Sequence, residues 1–220
     1  MKYYPVYLDL RDRAVLVVGG GAVAEGKAEQ LIEAGARVRL VSPGLTPRLG
    51  ALEAQGAFAY REGGFAESDL EGVMLVISAT DDQEVNERVA RAAAARGLLC
   101  NVVDQPALCN FITPALLTQG DLQISVSTGG GSPALTQRVK REVGELVGAE
   151  YGELLELAAE MRLEVKRRIP DFEGRRRVLH AFVESEALEL LREGRRDEAR
   201  RLARVLVGMA VEEGSDAVRG

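Results

Sequence analysis

Three consecutive glycines are the first residues in this sequence whose spacing points to chemistry. Gly19-Gly20-Gly21-Ala22-Val23-Ala24 fits the pattern G-x-G-x-x-A. In such a turn the first glycine permits a sharp reversal after a strand. The second lets the main chain close on a pyrophosphate, and the small last residue lets the following helix pack tightly on a sheet. Gly19, Gly21 and Ala24 take these parts, and the free N–H groups at the helix start, around Ala22 and Val23, face the phosphates. The motif gains weight only between a strand and a helix; elsewhere it is a purely structural turn.

Two further segments fit the same crevice. An acidic residue some 20 positions on usually holds the ribose at the end of the second strand. That place here reads Val41-Ser42-Pro43-Gly44, so Ser42 and the backbone of Pro43 and Gly44 are the candidates for that contact. The missing acid weakens the choice of NAD over NADP, and Arg39 or Arg48 could meet a 2′-phosphate; NAD is the expected cofactor. Ser78-Ala79-Thr80-Asp81-Asp82 ends another strand. Thr80 and Asp81 are expected to line the crevice, while Asp82 reads as the N-cap of the next helix.

The elements that position these residues alternate. Ala14 to Val18 is a short apolar β-branched run, as in a strand buried on both faces. A helix follows from Ala22 to Ala34, ended by Gly35, then a strand from Arg37 to Val41, a unit of βαβ size. Further on come a helix over Leu49–Gln55, a short strand over Phe58–Arg61, a strand over Met74–Ala79, a helix over Asp82–Arg96 closed by Gly97, and a strand over Leu98–Val103. Such alternation predicts a parallel sheet with helices on both faces. After Pro114 the texture changes. Leu122 to Ser127 alternates as a half-exposed strand does, and Thr128-Gly129-Gly130-Gly131-Ser132-Pro133 leads into a helix from about Ala134. Residues 149–210 read as a small helical domain interrupted by Pro170 and a few glycines, and the last ten residues as frayed. The expected division is 1–112, a dinucleotide-binding Rossmann domain; 113–148, a dimerisation and substrate segment; and 149–220, the helical domain.

Bulk properties narrow the classes. The chain has 220 residues, 46% of them apolar, enough for a real core, and a formal charge of −6 that argues against a dedicated nucleic-acid binder. Two cysteines, Cys100 and Cys109, suggest neither a disulfide framework nor a zinc site. Charges and a proline in MKYYPVYLDLRDR disfavour a signal peptide, and no stretch has membrane-span length. A soluble, cytoplasmic protein is expected, without nucleic-acid or membrane partners. His180 is the sole histidine; alone it makes no tight metal site, and no metal ligands are assigned. Arg162, Lys166, Arg167, Arg168 and Arg175-Arg176-Arg177 lie among acids and read mainly as a solvated helix face.

Several segments together, YPVYLDLRDRAVLVVGGGAVAEGKAEQLIEAGARV, ISATDD with a later VN, CNVVDQPALCNFITPA and SVSTGGGSPAL, resemble the precorrin-2 dehydrogenase and sirohydrochlorin ferrochelatase family, found free or as the N-terminal part of siroheme synthase. The resemblance is dense over residues 3–140. It implies NAD-dependent oxidation of precorrin-2 to sirohydrochlorin, in many members Fe2+ insertion to give siroheme, and a homodimer. A methyltransferase domain that follows in fused members is expected to be absent from a chain of this length. By spacing alone Asp104 is a turn residue before Pro106; the resemblance makes it the catalytic aspartate, a general base for both steps. Asn101 in the same segment, and Ser127, Thr128, Gly129 and Gly130 at the later helix start, are expected to contact the carboxylate-rich substrate. Thr128 stands where fused bacterial members carry a phosphorylatable serine. Alternatives remain open: dehydrogenation without metal insertion, cobalt in place of iron, or a non-catalytic regulator that senses NAD.

Overall fold

In the computed structural model of the chain, the backbone is described for residues 2–217 and the side chains for residues 2–212. Five parallel strands, β1 (Ala14–Val18), β2 (Arg37–Ser42), β3 (Ala59–Glu62), β4 (Leu75–Ser78) and β5 (Leu99–Val102), lie in the order β3-β2-β1-β4-β5. Val15 pairs with Val38 on one side and Leu75 on the other. The chain moves outward from β1 to β3, then returns to the far side of β1 at β4. That reversal places a crevice beyond the carboxyl ends of β1 and β4.

Both faces of the sheet are covered, which is why β1 is apolar throughout. On one face Val15, Val17, Leu40, Leu75 and Ile77 pack with Ala24, Ala28 and Leu31 of α1 (Ala22–Glu33) and Leu49 of α2 (Pro47–Ala54). On the other, Leu16, Val18, Val76 and Val102 pack with Val89, Ala92 and Ala93 of α3 (Gln83–Ala95). Alternation along each strand sorts the two sets. Gly35, at φ +76° just past the last turn of α1, and Gly97, at φ +66° just past that of α3, provide the left-handed residues that end those helices.

Most sequence boundaries shift by a residue or two. The helix expected from Leu49 begins at Pro47, because Thr46 caps it by accepting from the Leu49 N–H and Pro47 fills the first turn. One strand was not anticipated. β6 (Ala115–Gln119) pairs antiparallel with β7 (Leu122–Val126), Leu117 facing Ile124, around a turn with Gly120 at φ +58°. Ala115-Leu116-Leu117 lacks the alternation that marks β7, and the Gly120-Asp121 turn was the readable signal.

Contacts divide the chain into two compact units, Met1–Thr113 with Gly129–Gly131, and Pro114–Thr128 with Ser132–Gly220. Among the described residues the second holds the β6–β7 hairpin and five helices, α4 (Pro133–Leu146), α5 (Ala149–Arg168), α6 (Phe172–Val183), α7 (Ala187–Arg192) and α8 (Arg196–Ala217). Leu154, Leu157, Met161, Val165, Phe182, Leu191 and Val207 form its core. Pro170 does separate α5 from α6. Gly152, in contrast, is no break. It is buried inside α5, where a Cβ would stand 2.6 Å from the Gln119 carbonyl oxygen. The fraying expected over the last ten residues is not what α8 does, since it runs to Ala217; residues 218–220 lie outside the described residues. Among the described residues no helix is long and apolar enough to cross a membrane.

Candidate functional site

The glycine turn is built as its sequence requires. Gly19 sits at φ +124°, and a Cβ there would lie 2.2 Å from the Ala79 carbonyl oxygen at the end of β4. No side chain fits both the dihedral and the space. Gly21 is the N-cap of α1, and a Cβ on it would meet nothing within 4 Å. The face that a pyrophosphate must approach is therefore open, with Ala22 and Val23 exposed beside it and Ala24 fully buried against the sheet. The N-terminal N–H groups of α1 point into this opening, so the residues present fit a dinucleotide.

The middle glycine had no role in the motif, yet it is the most crowded. A Cβ on Gly20 would stand 1.9 Å from the Gly44 carbonyl oxygen and 2.5 Å from Ser42 Oγ. The loop after β2 lies directly on the turn, tied by Thr46 N–H donating to the Gly20 carbonyl at 3.0 Å. Ser42 is consequently buried, and its hydroxyl donates to the Gly44 carbonyl at 2.7 Å. Its side chain shapes the loop, while Pro43 and Gly44 are exposed. Neither arginine raised as a 2′-phosphate partner is free: Arg48 pairs with Glu29 and Arg39 donates to the Glu71 carbonyl.

At the end of β4, Thr80 Oγ1 accepts from the Asp82 N–H, and Asp82 caps α3 by accepting from the Val85 N–H. Asp81 is exposed. Asn86, the second residue of the VN pair that follows ISATDD, is given no role by the sequence alone. It is 2% exposed, accepts from the buried Ser78 hydroxyl at 2.7 Å and donates to the Thr80 carbonyl at 2.9 Å. An asparagine inside a helix is a poor helix former unless its amide is used; that was the available signal.

Asp104 follows β5 at φ +59°, in the left-handed region that Asp and Asn tolerate best. Its side chain is exposed, and among the described residues its carboxylate meets no donor. Cys109 holds the turn around it. The sulfur accepts from the Val102 N–H at 3.1 Å and lies 3.2 and 3.3 Å from the carbonyl oxygens of Val102 and Gln105. Burial, reinforced by Cys109, pushes the Cys100 thiol up to about 11, so it is an inert core residue. Asn101 is 8% exposed and donates to the Phe111 carbonyl at 3.1 Å. A separate depression of about 550 Å³ opens near Ala14, Arg37 and Gly56, at the opposite end of the sheet.

In the second unit Ser127 is exposed, whereas the Thr128 hydroxyl is engaged by the Ser132 N–H and by Thr136 Oγ1. Ser132 caps α4 and Pro133 opens it. Gly129 and Gly130, which group with the first unit, both have positive φ and are exposed. The tail cations mostly serve the helices: Arg168 pairs with Glu164, Arg176 with Glu173, and Arg175 donates to the Ile169 carbonyl. His180 is exposed, and the described residues contain no group of side chains able to hold a metal ion.

Comparison with known proteins agrees with this geometry. A family described as "Putative NAD(P)-binding" matches residues 6–115, the Sirohaem biosynthesis protein central family matches 119–146, and the Sirohaem synthase dimerisation region matches 150–206. The chain belongs to the precorrin-2 dehydrogenase and siroheme synthase family. A siroheme synthase of Thioalkalivibrio sulfidiphilus is 45% identical over 200 residues, covering 91% of this chain and 41% of the relative. One from Pseudomonas aeruginosa is 40% identical over 202 residues, covering 92% and 43%. The chain thus spans less than half the length of the curated relatives it matches. The solved structure of SirC, precorrin-2 dehydrogenase, superposes with a TM-score of 0.79 at 27% identity, covering 92% of this chain and 99% of that one. The family's dinucleotide-binding unit is the one that carries the glycine turn.

Proposed function

We propose that the protein oxidises precorrin-2 to sirohydrochlorin with NAD+ and then inserts Fe2+ to give siroheme, acting in the cytoplasm as a homodimer. The observation that carries the reading is an exposed, unpaired carboxylate on Asp104, held in a left-handed turn just past β5, in a unit whose β1–α1 turn has an open phosphate face. Gly19 and Gly21 shape the pyrophosphate site, with Ala22, Val23 and Ala24 at the helix start. The Pro43–Gly44 backbone borders the ribose, Ser42 acts through that loop, and Thr80 and Asp81 line the far side. Engagement of Arg39 and Arg48 elsewhere favours NAD over NADP. The matched dimerisation region supports the homodimer.

Bound NAD+ supplies the hydride acceptor. Oxidation removes a hydride and a proton from the macrocycle, and Asp104 takes the proton. Metal insertion displaces two pyrrole N–H protons, and the same carboxylate receives them in turn, with Fe2+ as substrate. Asn101, Ser127, Thr128, Gly129 and Gly130 are proposed to contact the tetrapyrrole. Anaerobic incubation with precorrin-2, NAD+ and Fe2+ tests both halves. A siroheme spectrum is expected; spectra that stop at sirohydrochlorin would remove metal insertion and leave the dehydrogenase, and NAD+ binding with no turnover would leave a sensor. Co2+ in competition with Fe2+ identifies the preferred metal.

A further inference from the structure

We propose that Lys27 and Thr113 together form a receptor for a peripheral carboxylate of the tetrapyrrole, an assignment that rests on the function proposed above. Lys27 lies on α1 with its ammonium 3.0 Å from Thr113 Oγ1. It is half-buried, and no acidic side chain among the described residues pairs with it. Most buried cations are retained only with a partner. Burial alone pulls its pKa below the ordinary lysine value, with no carboxylate to oppose it. An anion from outside the chain would supply what the fold withholds.

Direction and neighbours say which anion. Side chains on a helix lean toward its N-terminus, so the Lys27 stem runs toward the end of α1 that opens on the crevice. Val23, one turn nearer that end on the same face, is 52% exposed. Thr113 closes the segment in which the Phe111 carbonyl accepts from Asn101, three residues before Asp104. The ammonium is therefore tied to the strand that leads to the aspartate, not to the Ser42–Gly44 loop on the other side of β1. Phosphates are already provided for at the first turn of α1, beside Gly21. The hydroxyl of Thr113 accepts from the ammonium and keeps its own proton to donate. One carboxylate oxygen pair can then bridge Nζ and Oγ1, a charge-assisted arrangement suited to an acetate or propionate arm.

The test titrates the full chain with sirohydrochlorin and, separately, with NAD+. Lys27→Met should weaken sirohydrochlorin about tenfold or more, as loss of one charge-assisted contact does, and leave NAD+ affinity within about twofold. Lys27→Arg should restore most of the tetrapyrrole affinity. Thr113→Val should weaken it less, and its effect should shrink in the Lys27→Met background, as partners on one ligand group do. Sirohydrochlorin affinity unchanged in Lys27→Met overturns the proposal. So does an equal loss of NAD+ affinity, which would make Lys27 a cofactor residue. Retained NAD+ binding shows that the variants are folded. Failure of the unsubstituted protein to bind or oxidise tetrapyrrole is a different result, read without any variant, and overturns the function together with this site.

Discussion

The two units keep their shapes by different means. Around the crevice, backbone presses on backbone: Gly19 against Ala79, the Gly44 loop on Gly20, Asp104 in a left-handed turn, Asn86 buried and fully engaged. The helical unit relies on apolar volume around Leu157 and Phe182, with its charges paired at the surface. Gly152 is a counterpart there to the crevice glycines, allowing α5 to approach the hairpin. A site that must place a cofactor needs fixed backbone, whereas a scaffold of helices needs only a filled core.

Substitutions can break this contrast or sharpen it. The largest effect belongs to Asp104→Asn, which keeps the left-handed turn and removes only the proposed base. Turnover should fall roughly 10²–10⁴-fold while NAD+ affinity and melting temperature hold; undiminished turnover would remove Asp104 from the chemistry. Phe182→Ala should cost about 3–5 kcal/mol in denaturant unfolding, the range for a fully buried aromatic, with the dinucleotide unit still binding NAD+. Gly20→Ala sharpens the comparison from the other side. It should reduce NAD+ affinity at least tenfold, about 1.4 kcal/mol, out of proportion to its effect on global stability, since the β2 loop must lift off the turn. Asn86→Ala should cost about 1–3 kcal/mol, because the Ser78 hydroxyl is left buried without its acceptor.

The smallest effect is electrostatic. Burial opposes the charge on Asp69, but the Arg61 guanidinium and the Ala66 N–H outweigh it and hold the carboxyl below its ordinary value of 3.8. A carboxyl lowered on folding adds stability above its unfolded pKa, and the gain is lost as pH falls through the folded value. Asp69→Asn should therefore lower neutral-pH melting slightly, where that gain is fully present, and flatten the acid limb of the stability curve below about pH 4, where the parent loses the same gain. Lys27 has the opposite sign. Its folded pKa is lowered, so the folded state holds fewer protons in the window below the ordinary lysine value. Stability gains there as pH rises, and Lys27→Met should melt no lower than the parent.

Much of the dinucleotide unit was legible because its constraints are local. A strand buried on both faces reads as AVLVV, and Gly19, Gly21 and Ala24 have their spacing dictated by one turn. The parts that were not legible depend on partners distant in sequence. Gly20 is crowded by a loop more than twenty residues on, and nothing in the motif distinguishes it from a spacer. Cys109 looked like an ordinary thiol because its contacts are to main-chain groups. Ser42 was expected to face the ribose, but a serine's direction is not written in strand periodicity once the strand ends. In the second unit helical spacing located the helices, yet β6 escaped because its inward and outward residues are both leucine.

The loop seated on Gly20 has a consequence for redesigning this enzyme class. Cofactor preference in such folds is usually retuned at the residue that ends β2. Here that residue is pinned by its hydroxyl to Gly44, which itself rests on the glycine turn at Gly20. Installing an acid at Ser42 would push a carboxylate toward a carbonyl oxygen and transmit the misfit to the turn below. The segment from Ser42 to Thr46 and the glycine beneath it behave as one exchangeable cassette, and selectivity for one nicotinamide cofactor over another has to be moved with the whole of it.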